Sequence, residues 1–267
     1  MNSYKNTSVI ESAQNPLIKK AASLRDKKYR QQHGLFAAEG QRTIGAAIES
    51  GLYEIDCLLF DESASRETGA LKKSAMAKKI KCVTVASKVM QKLSQQDNAQ
   101  NIIGLIRHKY ADAGKILSSA KTCVIALESP RDPGNLGTII RTADAMAIDG
   151  IILIGDSCDP FAPECVRATM DSIFHIPLAR STVADFIKQN KLPTIGTALQ
   201  GANDFREVSY KPPFALVMGS EQKGLSGELA KSCDHLAKLP IPGKAESLNL
   251  SVATGVMLYA ALAPWRK

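Results

Sequence analysis

Residues 239–263, LPIPGKAESLNLSVATGVMLYAALA, constrain what this chain can fold into more than any other stretch. Pro240 and Pro242 lack an amide hydrogen and cannot donate to the middle of a sheet ladder. The backbone around them is therefore expected to run extended along a sheet margin, with the amide and carbonyl groups of Leu239 and Ile241 open to a ligand. Gly243 allows a tight bend. Leu250, Val252, Ala253, Val256, Met257, Leu258 and Leu262 then make a helix that is apolar almost all round. A surface helix keeps one polar face, so this one is expected in a core or an interface. Ser247 and Asn249 at its mouth read equally well as plain N-caps or as polar groups of a site.

Upstream, short apolar strands alternate with helices in two blocks. In the first, residues 15–31 (NPLIKKAASLRDKKYRQ) read as one basic amphipathic helix. Its stripe is Leu17, Ile18, Ala21, Leu24 and the stem of Lys28. Strands are expected at LFAAEG, EIDCLLF, KCVTVA and NIIGLIRHK, with helices at 41–50, 65–79 and 87–94 between them. This is the pattern of a small α/β domain, residues 1–108. Residues 109–121 read as a linker. The alternation restarts over residues 122–267, where CVIAL, GIILI and FALVM are continuously apolar. Such strands fit a parallel sheet covered on both faces. APECVRATMDSIF is expected as a helix and HIPLA as a strand, with His175 a core or sheet residue.

A chain of 267 residues with 45% apolar and 22% charged residues is globular and fills one large or two ordinary domains. The start, MNSYKNTSVI, lacks a secretory or transit layout, and no apolar run has membrane-spanning length. The six cysteines are scattered without CxxC, and the four histidines have no metal or triad spacing. That pattern suits reduced thiols in a cytoplasmic protein with no metal. The net charge of +8 is unevenly distributed: residues 1–110 hold 18 Lys and Arg against 10 Asp and Glu, and the remainder balances. A basic block joined to a neutral one points to a polyanion partner, nucleic acid above all.

Three loops fall at the carboxyl ends of second-block strands, where open α/β sheets bind ligands. In SPRDPGN followed by the helix LGTIIRTADAMA, Asn135 stands at the helix entrance. Arg141 faces out among Ile139, Ile140, Ala143 and Ala147, either as an ordinary surface arginine or aimed at a phosphate, which its planar fork suits. In LVMGSEQKGLS, Gly219 ends a buried strand and lets a flat ligand approach the backbone, with Glu221 and Lys223 following. The third loop is the proline stretch itself. No GxGxxG, GxxxxGK[ST] or GxSxG is present, so nicotinamide, P-loop and hydrolase-elbow chemistry lack support.

Together DPGNLGTIIRTADA, LVMGSEQKGLS and LPIPGKAESLNLSVATGVMLY resemble motifs one, two and three of the SpoU/TrmH family of RNA ribose 2′-O-methyltransferases. The first block, through NPLIK and FAAEGQR, is similar to that family's substrate-binding domain. Two departures are small: Ser220 stands where Asn is common, and LPIP replaces I-P-M-P. The resemblance implies a trefoil-knotted α/β methyltransferase domain that forms a homodimer and binds S-adenosylmethionine within the knot. It puts the cofactor against Gly219, Leu239, Ile241 and Leu248. Asn135, Arg141, Glu221, Ser247 and Asn249 match the family's polar site residues. Lys19, Arg25, Lys27, Lys28, Arg30 and Arg42 are the candidate RNA contacts of the first domain. The activity implied is ribose 2′-O-methylation, with 23S large-subunit rRNA the expected substrate. A tRNA methyltransferase and a catalytically silent RNA-binding assembly factor are the alternatives.

Overall fold

A computed structural model describes residues 9–94, 99–198 and 202–263; most of the MNSYKNTSVI stretch that bears on a leader lies outside them. In chain order the elements are α1 (Pro16–Ser23), α2 (Lys27–His33), β1 (Leu35–Glu39), α3 (Gln41–Ser50), β2 (Ile55–Asp61), α4 (Ser65–Ala77), β3 (Cys82–Val85), α5 (Ser87–Leu93) and β4 (Ile102–Arg107). There follow α6 (Ala113–Ser119), β5 (Cys123–Glu128), α7 (Pro133–Ala145), β6 (Gly150–Ile154), α8 (Pro163–Ala168), a 3₁₀ turn (Ser172–Phe174), β7 (Leu178–Ser181), α9 (Val183–Gln189) and β8 (Thr194–Thr197). The chain continues with β9 (Asn203–Asp204), β10 (Phe214–Met218), α10 (Gly227–Ser232), β11 (His235–Lys238) and α11 (Leu250–Leu262). It divides into two compact units, one of residues 1–108 together with 161–167, the other of residues 109–160 and 168–267.

The first unit holds a four-stranded sheet in the order β1-β4-β2-β3, antiparallel except for the β2–β3 pair. Ile18, Ala21 and Leu24 of the basic N-terminal stretch enter its core beside Leu59, Met90 and Leu105. The single basic helix expected over 15–31 is in fact two. Asn15 caps α1 by accepting from the Leu17 amide at 2.9 Å, and α1 stops at Ser23, whose hydroxyl turns back to the Lys20 carbonyl. Arg30 holds the break together: it is only 4% exposed, and its Nη1 donates to the carbonyls of Leu24 (2.9 Å) and Arg25 (2.7 Å). Arg30 therefore satisfies helix-end carbonyls and is withdrawn from the RNA-facing set, because it is buried and bonded to backbone where a phosphate cannot reach it. Arg25 in turn donates to the carbonyls of Lys92 and Leu93 at the end of α5. Lys19, Lys27, Lys28 and Arg42 are exposed, and Lys28 does not join the apolar stripe; its Nζ lies 5.7 Å from the Tyr29 ring centroid.

Residues 161–167 separate from their sequence neighbours because Phe161 packs against Phe36, Tyr53 and His108, with ring centroids 5.0–6.0 Å away. The helix expected over APECVRATMDSIF consequently stops at Ala168. Met170 and Asp171 follow at φ +48° and +83° before the 3₁₀ turn begins.

The second unit is a seven-stranded parallel sheet in the order β7-β6-β5-β10-β8-β11-β9. β6 and β10 are buried along their whole length and β5 up to Glu128 at its end, as helices on both faces require. The segment read as a linker contains α6, whose Ile116 and Leu117 belong to this unit's core. His175 is not in the sheet. Pro177 delays the last ladder to Leu178–Ser181, and the His175 side chain is 46% exposed against Asp144. The two-residue β9 is too short to leave a period-two signal.

Candidate active site

Chain order and strand order diverge beside β5. The chain runs from β5 outward through β6 to β7, then returns to the other side of β5 for β8 and β10. Such a switch point opens a crevice at the carboxyl ends of the strands. A cleft of about 600 Å³ lies there, at the ends of β8, β10 and β11, a size suited to a small-molecule ligand. Gly219, Leu239, Ile241 and Leu248, the four residues expected to meet a cofactor, all line it, as do Glu221 and Ser247.

The proline stretch behaves as its chemistry requires. β11 ends at Lys238, and residues 239–249 run without regular structure to the Asn249 cap of α11. Among the described residues, the backbone groups of Leu239, Ile241 and Leu248 make no hydrogen bond, so each keeps a donor and an acceptor for a bound molecule. Leu225, Leu250 and Ala253 supply apolar wall. Open backbone groups between apolar walls suit a nucleoside-bearing ligand, whose flat base needs both an edge partner and a dry face.

The need for glycine at 219 comes from the loop itself. A Cβ there would lie 2.0 Å from the Gly224 carbonyl carbon and 2.2 Å from the Leu225 amide nitrogen. The residue is a glycine so that the loop can close on itself, with Ser220 and Gly224 exchanging two backbone hydrogen bonds of 3.0 Å. Gly224, at φ +63°, makes the return.

The polar residues divide into two groups. Asp132 caps α7, accepting from the Asn135 amide at 2.6 Å, so the DPGN segment is the first turn of the helix and not a loop. Asn135 donates through Nδ2 to Glu221 Oε1 at 3.3 Å and accepts at Oδ1 from Asn249 Nδ2 at 2.8 Å. Glu221 Oε2 also takes the Arg131 amide at 3.3 Å. One amide–carboxylate chain thus ties α7, the loop after β10 and the start of α11 across the switch point. Asn249 is also the N-cap that its position suggested, its Oδ1 accepting from the Ser251 and Val252 amides.

Arg141 is not in this chain and does not line the cleft. It lies six residues beyond Asn135 on α7, which is about 9 Å along the axis and about 120° around it. Its guanidinium is exposed and has no hydrogen bond or ion pair with the described residues. Ser247 lines the cleft without joining the Asn135 chain. Cys158 is excluded as a nucleophile, because burial, with Glu221 and Asp132 next, pushes its thiol up to about 12. The residues missed from the sequence are Thr197 and Ala198, which form the β8 edge of the cleft. Their place at the end of a buried strand was the available signal.

Known proteins resemble the chain in both sequence and fold. The SpoU rRNA Methylase family model matches residues 122–259, and the MRM3-like substrate binding domain matches residues 15–104. The chain is 30% identical to the Bacillus subtilis 23S rRNA (guanosine(2553)-2′-O)-methyltransferase RlmP over 94% of its own length and 97% of that protein. It is similar to the AdoMet-bound rRNA methyltransferase of Sinorhizobium meliloti, with 38% identity, TM-score 0.90, and coverage of 97% of this chain and 99% of that one. The SpoU methyltransferase AviRb of Streptomyces viridochromogenes, in complex with AdoMet, matches at 25% identity and TM-score 0.81, covering 94% and 98%.

Proposed function

The chain belongs to the SpoU rRNA methylase family, and from that premise we propose that it methylates a ribose 2′-hydroxyl of 23S rRNA in the cytoplasm, using S-adenosylmethionine bound in the cleft at Gly219, Leu239, Ile241 and Leu248. The observation that carries the reading is the Asn135–Glu221–Asn249 chain standing directly beside a cleft with unsatisfied backbone groups. The 30% identity to RlmP over nearly the whole chain supports rRNA as substrate. Family membership also implies a knotted backbone around the cleft.

S-adenosylmethionine supplies an electrophilic methyl on sulfonium sulfur. The protein has to align the attacking oxygen with it and ease loss of the hydroxyl proton, and alignment alone is worth several kcal/mol. Asn135, Ser247 and Asn249 hold ribose and loop geometry, and Glu221 fixes the first two motifs to one another. Arg141 binds the phosphate of the target nucleotide and stabilises charge on the 2′-oxygen. A guanidinium stays protonated at working pH, so its help is electrostatic and the proton passes to the neighbouring phosphate. The first unit, with Lys19, Arg25, Lys27, Lys28 and Arg42 exposed, adds sequence-tolerant phosphate contacts.

The chain acts as a homodimer in this reading. Val252, Val256 and Tyr259 form an exposed apolar ridge on α11, continued by Leu248 just before its cap, with Val252 52% and Tyr259 57% exposed. α11 packs on α7, Gly255 lying beside Thr142. A ridge of this kind is covered in a stable assembly, and Arg141, outside its own cleft, would then serve that of its partner. Val256→Glu is expected to give a folded monomer with little methyl transfer; light scattering reads the first property and labelled-methyl incorporation the second. A fully active monomer would remove the dimer from the reading.

The decisive experiment is ribose-methylation mapping of total rRNA and tRNA from cells with and without this protein. One 2′-O-methyl signal is expected to vanish from 23S rRNA and to return with the wild-type gene. A lost tRNA signal would transfer the assignment to tRNA. No lost signal, with ribosome binding by the purified protein, would favour a silent assembly factor.

A further inference from the structure

Among the described residues the Arg141 guanidinium has no hydrogen-bond or ion-pair partner, although an acid is within reach on its own helix. Asp144 follows Arg141 by three residues, the spacing at which helix side chains are neighbours. Positions 137, 138 and 145, the other neighbours, are Gly, Thr and Ala, so Asp144 is the acid on α7 placed to neutralise Arg141. It does not. Its Oδ2 is held at 2.8 Å by His175 Nδ1, from the residue that follows the 3₁₀ turn.

His175 is delivered to Asp144 by a turn under constraint. Met170 and Asp171 are successive side-chain-bearing residues at φ +48° and +83°, in a region costing roughly 1–2 kcal/mol per residue. Thr169, Asp171 and Ser172 are buried, Ile173 and Phe174 are fully buried, and the His175 amide closes the turn on the Ser172 carbonyl at 3.0 Å. Backbone strain persists only where its surroundings over-determine it, and such sites cluster at functional positions. An anchored turn that ends in a side chain bonded to Asp144 differs from a chance surface contact.

We infer that His175 is a positioning residue: by occupying Asp144 it keeps Arg141 unpaired and available to an RNA phosphate. The inference rests on the proposal that Arg141 faces RNA. Without His175, the Asp144 carboxylate turns to Arg141, and RNA has to compete with an internal ion pair. Removing the charge of Asp144 removes the competitor, so the loss of His175 then does no harm.

The test uses full-length protein, labelled S-adenosylmethionine, and total rRNA from cells lacking the protein as methyl acceptor. His175→Ala is expected to raise the KM for RNA about three- to five-fold, the strength of an exposed ion pair. S-adenosylhomocysteine affinity should stay unchanged. Asp144→Asn stays within twofold of wild type, and the double variant His175→Ala/Asp144→Asn returns to that level. His175→Gln keeps a donor for Asp144 and is the second variant, also expected within twofold. If the pair only clamps the 3₁₀ turn to α7, both single variants are impaired and the double variant is no better, which overturns the inference. Wild-type kinetics for His175→Ala, with Arg141→Ala inactive, also overturn it while leaving the Arg141 assignment standing. Full activity of Arg141→Ala removes the premise and the inference with it.

Discussion

Arg141→Ala is expected to reduce methyl transfer by about 100-fold or more, the scale of losing one charge-stabilising donor at a reacting oxygen. S-adenosylhomocysteine affinity should not change, because Arg141 lines no part of the cleft and bonds to none of its residues. The fold should not change either, since the side chain is exposed, and substitutions at such positions usually move stability by only a few tenths of a kcal/mol. The separation is the informative part. A residue that shaped the cleft would lose affinity and turnover together, whereas a phosphate contact loses turnover and RNA affinity alone. Isothermal titration with S-adenosylhomocysteine, paired with single-turnover labelling of RNA, reads both quantities. Arg141→Lys retains the charge without the planar fork and should fall between the two. Turnover by Arg141→Ala within a few-fold of wild type would end the catalytic assignment.

Gly219→Ala should be the most damaging single-methyl change in the second unit. Its Cβ would overlap backbone of Gly224 and Leu225 at 2.0–2.4 Å, and backbone cannot swing aside as the end of a side chain can. The Ser220–Gly224 bonds would have to open, taking the Glu221 carboxylate away from Asn135 and the Arg131 amide. We expect a loss of about 3 kcal/mol or more in stability, in the range of overpacking at a site without slack. S-adenosylhomocysteine affinity should drop at least about ten-fold, equivalent to 1.4 kcal/mol. Denaturant melts and titration of the same sample measure both. Normal affinity and stability would mean that the loop has room that its geometry denies.

The motif residues also show where local reading stops. Asn135, Glu221 and Asn249 were each visible as polar residues at strand ends or helix entrances, yet 86 and 114 residues separate Asn135 from its two partners. Nothing local to the chain measures those distances. Arg30 looked like its neighbours Lys27 and Lys28 because charge is a property of composition, while its burial depends on the broken α1–α2 corner that it stabilises. His175 read as a core residue among Ile173, Phe174 and Ile176, all of which are buried. The turn at Met170 and Asp171 rotates the chain and sends the imidazole outward.

The sequence by itself determined the main strands of the second unit and the chemistry available at their ends. Continuous apolar runs demanded a covered parallel sheet, Pro240 and Pro242 kept the strand-end backbone out of a ladder, and the three motifs identified the family. These follow from short-range rules: period, missing donors, residue type. Tertiary structure alone decided which cations face solvent, why Gly219 is a glycine, and that His175 rather than Arg141 holds Asp144. Each of those outcomes depends on how the chain turns back on itself to bring atoms together at about 3 Å or less, a separation at which hydrogen bonds and steric overlap act and which periodicity and residue type do not encode.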